Sequence, residues 1–259
     1  SQSAWDMLED FCCWYEDISI SDWLKLRSFY SLLVAADRMD ALNVKRQQVL
    51  KEQLPTFSKP IFQSERPLDQ WREATYQAVL QNAQQIEKPG VYKLTLPTGA
   101  GKTILGLSLA SQLAARLGNK TIVYVMPFIS IVEQNAKVAQ RVFGGDVQED
   151  HSLAIGKMAT EDTQHSQKQK MISLFRYWQE PVVVTTLAQL WTSMFSPSAN
   201  HSMNFHRLSN AVVILDEPQT LPAKYWKGFG EMLQLLSDTW KTTFLLMTAT
   251  QPRIVDALE

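Results

Sequence analysis

The chain has 259 residues, 45% of them hydrophobic and 20% charged, with a formal net charge of −1. That length and apolar content suffice for one large buried core, or one domain plus a smaller piece, and exclude a disordered chain. Near-neutrality excludes a global basic field, so any contact with nucleic acid has to come from a local patch or from groups along one edge.

Cys12 and Cys13 are the only cysteines. Being adjacent they cannot form a disulfide framework, which favours a reducing compartment. No apolar run approaches the roughly 18 residues that span a bilayer, and the N-terminus lacks the basic and apolar regions of a signal peptide. The expectation is a soluble, cytoplasmic protein with no membrane partner.

Residues 4 to about 50 are rich in Trp, Tyr, Leu and acidic groups, with apolar spacing of three and four through Phe29, Leu32, Leu33, Ala36 and Met39. This predicts a helical segment or pair, on which Asp37 and Asp40 read as a solvated face and Trp5, Trp14 and Trp23 crowd together. Pro55, Pro60 and Pro67 interrupt any regular element, so residues 51–69 read as a connector between two units. A helical pattern resumes from Leu68 to Ala83 and is ended by Lys88-Pro89-Gly90.

Val91 to Leu96 then alternates as a strand, enters the turn Pro97-Thr98-Gly99-Ala100-Gly101-Lys102-Thr103, and leaves it through a helical pattern from Ile104 to Leu117. Strand, glycine-rich loop and helix together make a phosphate loop. Gly99 and Gly101 allow successive backbone N–H groups to converge on a phosphate, and the following helix adds the positive end of its dipole. Lys102 supplies a point charge for the β- and γ-phosphates of ATP, and the Thr103 hydroxyl is placed to ligate Mg²⁺. A generic loop of this kind has Gly five residues before Gly101, where this chain has Leu96. Pro-Thr-Gly-x-Gly-Lys-Thr is the variant found in superfamily-two helicases.

Gly118-Asn119 stop that helix, and Thr121 to Met126 form a strand closed by Pro127. A helix pattern follows through Ile129, Ile131, Val132, Ala136, Val138, Ala139 and Val142, stopping at Gly144-Gly145. A weakly patterned polar region, including the run Glu161 to Lys170, precedes a helix ending near Trp178. Pro181 to Thr185 reads as a buried strand, Leu187 to Phe195 as a helix, and Ala211 to Leu215 and Thr243 to Met247 as further strands. Apolar, β-branched strands alternating with helices call for a parallel sheet covered on both faces. Residues 70–259 are therefore expected to form one RecA-like α/β domain, preceded by a short all-helical segment. Ligands of such sheets sit outside the carboxyl ends of the strands, where Gly99 to Thr103, Asp216-Glu217 and Thr248-Ala249-Thr250 fall.

Val212 to Leu215 delivers Asp216 and Glu217 to its tip. Asp216 is the candidate to hold Mg²⁺, and Glu217 the candidate to orient and activate the water attacking the γ-phosphate. The bland reading is a plain Asp-Glu-Pro turn. Thr248, Ala249 and Thr250 follow another strand, and their small hydroxyl side chains can bond those carboxylates and report phosphate state to a nucleic-acid face. Hydroxyls and backbone groups at Pro127, Ser130, Gln134, Thr185 and Thr186 can grip the phosphates of a single strand without reading its sequence. Helix capping is the alternative for the Ser and Thr residues among them. The histidines, at 151, 165, 201 and 206, have no metal-ligand spacing and read as surface residues.

These segments resemble one family: the CRISPR-associated helicase-nuclease of type I systems, a superfamily-two enzyme. The resemblance is carried by Trp71-Arg72, Gly90 to Gly99, Met126-Pro127-Phe128-Ile129-Ser130-Ile131-Val132-Glu133-Gln134, Trp178 with Pro181 to Thr186, Asp216-Glu217-Pro218-Gln219-Thr220-Leu221-Pro222, and Thr248-Ala249-Thr250-Gln251-Pro252. His151-Ser152 falls where the family often carries a His-containing motif. The resemblance implies an ATP- and Mg²⁺-dependent translocase on single-stranded DNA, recruited by an RNA-guided CRISPR surveillance complex and degrading DNA through an HD nuclease domain with divalent transition metals.

It also makes Leu32 to Ala41 look like the last motif of that HD domain, with Asp37 the carried-over metal ligand, so that residues 1–50 are its C-terminal remnant. The family's upstream His and His-Asp ligands, its second RecA-like domain and the arginine finger have no counterpart here. The expectation is a piece truncated at both ends, weakly active or inactive alone. Gln77 stands where an adenine-recognising glutamine would, with a solvated helix glutamine as the alternative. Other superfamily-two DNA or RNA helicases, and a non-catalytic nucleotide-binding docking module, are the competing readings.

Overall fold

The computed structural model describes residues 19–41, 66–143, 147–150 and 177–249. Thr250, His151, Ser152, His165, the run Glu161 to Lys170, both cysteines, Trp5, Trp14, Pro55 and Pro60 lie outside the described residues.

In chain order the elements are α1 (Ile20–Ala41), α2 (Pro67–Ala83), β1 (Val91–Thr95), α3 (Lys102–Leu117), β2 (Thr121–Met126), α4 (Ile129–Phe143), β3 (Val147–Asp150), β4 (Val182–Thr186), α5 (Leu187–Phe195), the single turn α6 (Ala199–Ser202), β5 (Ala211–Asp216), α7 (Trp226–Trp240) and β6 (Thr243–Thr248). The strands form a six-stranded sheet in the order β1-β6-β5-β2-β4-β3. Every pairing is parallel. The chain has the RecA-like fold, with an N-terminal helix added.

Strand alternation divides the core in two. Val123, Val125, Val183, Val213, Leu215, Phe244 and Leu246 face one side, where Leu24 of α1, Leu190 and Met194 of α5 and Phe229, Leu233 and Leu236 of α7 cover them. Ile122, Tyr124, Met126, Val182, Val184, Val212, Ile214, Leu245 and Met247 face the other, under Leu109 and Leu113 of α3 and Val132, Ala136 and Ala139 of α4. β2 and β4 are buried along their whole length, and β5 as far as Leu215, because helices close both faces. A Cβ on Gly106 of α3 would come within 2.6 Å of Met247 Sδ, so that glycine sets how closely the helix lies on β6.

Three features differ from the sequence-based expectations. The polar stretch after Gly145 contains β3, an edge strand with a single apolar residue, whose buried Asp150 accepts a 2.7 Å bond from Trp178 Nε1. Tyr177 and Trp178 are not helical, and the helix expected to end near them lies outside the described residues. Between Asp216 and Thr243 lies α7, whose residues Phe229, Met232, Leu233 and Leu236 have a plain helical spacing. Finally, α1 packs through Leu24, Ser31 and Ala35, while Phe29 and Leu33 of the expected apolar stripe are each 69% exposed.

α1 is docked on the α/β unit by polar contacts as well. Arg27 donates to the carbonyls of Ser193, at 3.1 Å, and of Ser196 at the end of α5. Trp23 packs edge-on against Phe205 at 6.3 Å. His206, expected at the surface, is largely buried: its backbone N–H donates to Ser31 Oγ at 3.0 Å, and its Nδ1 lies 2.9 Å from the same oxygen. The other ring nitrogen, Nε2, lies 3.4 Å from the Tyr177 hydroxyl, so both imidazole nitrogens face hydroxyl groups able to donate or accept. Burial drives the His206 pKa down to about 4, with the neighbouring Arg207 adding to the effect.

Candidate active site

β1 hands the chain to the phosphate loop. Leu96 is buried among Tyr76, Ala100 and Leu105, which explains why an apolar side chain replaces the usual glycine: it anchors the loop's entrance from below. Its backbone N–H donates to the Thr248 carbonyl at 3.0 Å, tying that entrance to β6. Gly99 and Gly101 adopt left-handed backbone at φ of 85° and 79°, as the loop reading requires. Gly101 opens α3 with no side-chain cap, so the first amides of the helix face the loop's hollow. Thr98 and Gly99 are exposed, whereas Ala100 is buried beneath them.

Lys102 rises from the first turn of α3 and donates to Glu217 Oε1 at 2.6 Å. Glu217 follows β5 in left-handed backbone at φ 49°, and its own N–H bonds the Met247 carbonyl at 2.8 Å, so its carboxylate is turned over the tip of β6. Its second oxygen accepts from Gln219 Nε2 at 2.5 Å and from Thr248 Oγ1 at 3.0 Å. Ala249 N–H approaches the same oxygen at 3.4 Å. Partial burial would push the Glu217 pKa upward, but the bonds from Lys102, Gln219 and Thr248 outweigh it and hold the group below the ordinary glutamate value.

Asp216 behaves in the opposite way. Burial raises its pKa, and the Tyr124 hydroxyl, donating to Oδ2 at 3.1 Å, works against that rise. Tyr124 is fully buried on β2, and desolvation followed by the nearby Asp216 charge holds its own pKa well above the usual phenol value, so it remains a proton donor. The Thr103 hydroxyl also reaches Tyr124. Thr103 and Asp216 thus meet at the same Tyr124 hydroxyl and bring oxygen atoms there, the donor type that Mg²⁺ takes. Among the described residues no cluster of three or more His, Cys, Asp or Glu side chains is suited to a metal ion, and Asp37 on α1 is exposed.

Ser130 and Gln134 are exposed in the first turns of α4. Thr185 is buried and donates to the Asp150 carbonyl at 2.8 Å. Thr186 accepts from Gln189 N at 3.2 Å, so here the capping alternative is realised. Gln77 Nε2 donates to Glu73 at 2.7 Å within α2. The residue of α2 that does reach the phosphate loop is Arg72, whose Nε donates to the Gly99 carbonyl at 2.7 Å. Sequence reasoning did not assign Arg72, Tyr124 or Gln219 a role. Gln219 was within reach, as a polar residue two positions after Glu217; Tyr124 reads in sequence as one more apolar strand residue.

A family model described as type III restriction enzyme, res subunit, matches residues 66–253. The CRISPR-associated nuclease/helicase Cas3 of Haloferax volcanii is 29% identical over 266 residues, covering 89% of this chain and 28% of that protein. Among solved structures, T. fusca Cas3 with ADP superposes with a TM-score of 0.58 at 18% identity, covering 80% of this chain and 24% of that one. The T. fusca Cas3-ATP structure gives 0.55 at 21% identity, covering 70% and 21% respectively. The structural likeness shows the fold. The chain spans less than a third of the length of each of these Cas3 relatives.

Proposed function

The chain belongs to the family of the type III restriction enzyme res subunit and is a superfamily-two helicase motor domain; from that premise we propose that it binds ATP at Thr98 to Thr103 and couples its hydrolysis to movement along single-stranded DNA. The observation that carries this reading is the Lys102–Glu217–Thr248 chain of bonds. Three segments far apart in sequence, each at the carboxyl end of a strand, meet at one point over the phosphate loop.

The roles follow from the geometry. Backbone amides of Gly99 to Thr103 and the Lys102 ammonium receive the β- and γ-phosphates, which requires Lys102 to exchange Glu217 for phosphate oxygen. Thr103 and Asp216 would hold Mg²⁺, which when bound neutralises charge on the β- and γ-oxygens. Released from Lys102, Glu217 is free to accept a proton from the attacking water, while the bonds from Gln219 and Thr248 to its second oxygen continue to favour the ionised form. Gln219 and Thr248 hold the second Glu217 oxygen and so sense whether the first has changed partner. The exposed Ser130 and Gln134 beside Pro127 supply the phosphate-gripping edge for DNA, and the strand end at Thr185 and Thr186, whose side chains are buried and bonded within the domain, supports that edge from beneath.

In the whole protein we assign this motor to CRISPR interference, with an RNA-guided surveillance complex as recruiter. An HD nuclease then uses divalent transition metals, and residues 1–50, with Asp37, form the end of that unit. Support comes from the named function of the Haloferax volcanii relative and from the position of α1 ahead of the motor. Calorimetry with ATP and Mg²⁺ tests the motor: binding by the unmodified chain should vanish in Lys102→Ala. Equal binding by the two would refute the assignment. For the whole protein, ATPase activity without stimulation by single-stranded DNA would exclude the translocase.

A further inference from the structure

Asn135 sits on α4, outside the phosphate loop and the Asp-Glu tip, and its side chain bridges two parts of the molecule. Its Oδ1 accepts a 2.8 Å bond from Thr103 Oγ1. Its Nδ2 donates to the Ile131 carbonyl at 2.8 Å and lies 3.4 Å from Met126 Sδ. The two acceptors around the nitrogen fix the amide's orientation, so the oxygen faces Thr103. A threonine hydroxyl has one proton and two lone pairs. With the proton committed to Asn135 the hydroxyl cannot turn it toward the metal, and with the Tyr124 hydroxyl also in reach one lone pair is still left for a cation.

The other end of the bridge is equally placed. Ile131 follows Ser130 in the first turn of α4, the exposed turn assigned to DNA, and Met126 ends β2 just before it. One side chain thus connects the hydroxyl that meets the metal with the turn that meets the strand, through two hydrogen bonds and no intervening residue.

We infer that Asn135 is a positioning residue: it orients the Thr103 hydroxyl for Mg²⁺ and links Mg²⁺–ATP occupancy to the grip of the α4 turn on single-stranded DNA. This rests on the motor reading above. It makes Asn135 a member of the outer sphere of the metal site, contributed by the helix that carries the DNA edge.

The test measures ATP affinity by calorimetry with and without Mg²⁺, and oligothymidylate affinity by fluorescence anisotropy with ATP in each condition. In the unmodified chain Mg²⁺ should tighten ATP, and Mg²⁺–ATP should shift DNA affinity. Asn135→Leu, similar in size, should bind ATP without Mg²⁺ as the unmodified chain does, while losing about ten-fold or more of the Mg²⁺ enhancement and the nucleotide-dependent shift in DNA affinity. Asn135→Asp keeps an acceptor for Thr103 and loses the donor to Ile131. It should retain the Mg²⁺ enhancement and lose only the DNA shift, a separation that a general packing defect does not produce, and it stands as the decisive variant if the leucine variant does not fold.

Unaltered Mg²⁺ enhancement and DNA shift in both variants overturn the inference. Lys102→Ala separates the two levels of the argument. If it leaves ATP binding intact, or if the unmodified chain shows no Mg²⁺-enhanced binding, the motor reading falls and the inference with it. If Lys102→Ala abolishes binding while the Asn135 variants behave as the unmodified chain, only the inference falls.

Discussion

Lys102 Nζ and Glu217 Oε1 lie 2.6 Å apart, so the residue assigned to the phosphates and the residue assigned to the attacking water hold each other. Each must release the other before either can act. The ion pair therefore competes with ATP for Lys102, and the competition is removed once Glu217 loses its charge. Glu217→Gln should bind Mg²⁺–ATP at least as tightly as the unmodified protein, by up to a few-fold. Its turnover should fall about 100-fold or more, since a lost general base is worth that much. Calorimetry and single-turnover hydrolysis check the two halves; weakened binding would show that the pair assists nucleotide entry.

Gln219 Nε2 donates to Glu217, and its Oε1 lies 3.1 Å from Thr248 Oγ1, sharing with Glu217 the one proton of that hydroxyl. Replacing it by Leu keeps the size and removes both contacts. The expected phenotype is a split, with ATP affinity unchanged and DNA stimulation of hydrolysis reduced about ten-fold, a loss of about 1.4 kcal/mol in coupling. Parallel loss of binding and stimulation would argue that Gln219 only supports the fold.

Tyr124→Phe removes one hydroxyl from the core and nothing else. Asp216 then loses the bond that opposes its burial, so its pKa rises further above the ordinary aspartate value. Because Mg²⁺ requires the ionised carboxylate, the acid limb of Mg²⁺–ATP binding should move to higher pH, with binding at neutral pH less affected. The stability cost should be about 1 kcal/mol. An acid limb that stays in place would mean the hydroxyl does not govern Asp216.

Of the site, the loop, Asp216-Glu217 and Thr248 are legible because each is a short run with its own local signature: small residues between strand and helix, or polar residues capping an apolar strand. The contacts that make them a site are not local. Tyr124 meets Asp216 across 92 positions and Lys102 meets Glu217 across 115, distances over which no periodicity carries information. The strand boundaries are readable because β2, β4, β5 and β6 are buried on both faces and so are continuously apolar. Strand β3 hides for the converse reason: at a sheet edge, the pairing of Asp150 with Trp178 substitutes for apolar side chains. Helix α7 has an ordinary amphipathic pattern and was open to reading. The outward stripe of α1 shows that periodicity establishes a helix without telling which face will pack.

His206 gives a stability prediction. Its folded pKa of about 4 lies below the unfolded value, so between pH 6.5 and 4 the unfolded chain binds a proton that the folded one refuses. Stability should therefore fall with acidification across that window, by about 1.4 kcal/mol per unit and about 3 kcal/mol in all, and this contribution should level off below pH 4. Thermal melts of His206→Asn should show a shallower decline than the unmodified protein. Identical slopes would place the proton elsewhere.

The docking of α1 bears on what can be transplanted. A motor excised at Arg66 would follow the proline-marked connector, yet it would leave a Leu24-sized hollow against the strands and strip Arg27 from the end of α5. The portable module is therefore longer than the motif-bearing one: a chimera that swaps motors between relatives has to carry the helix Ile20–Ala41 with the sheet it covers.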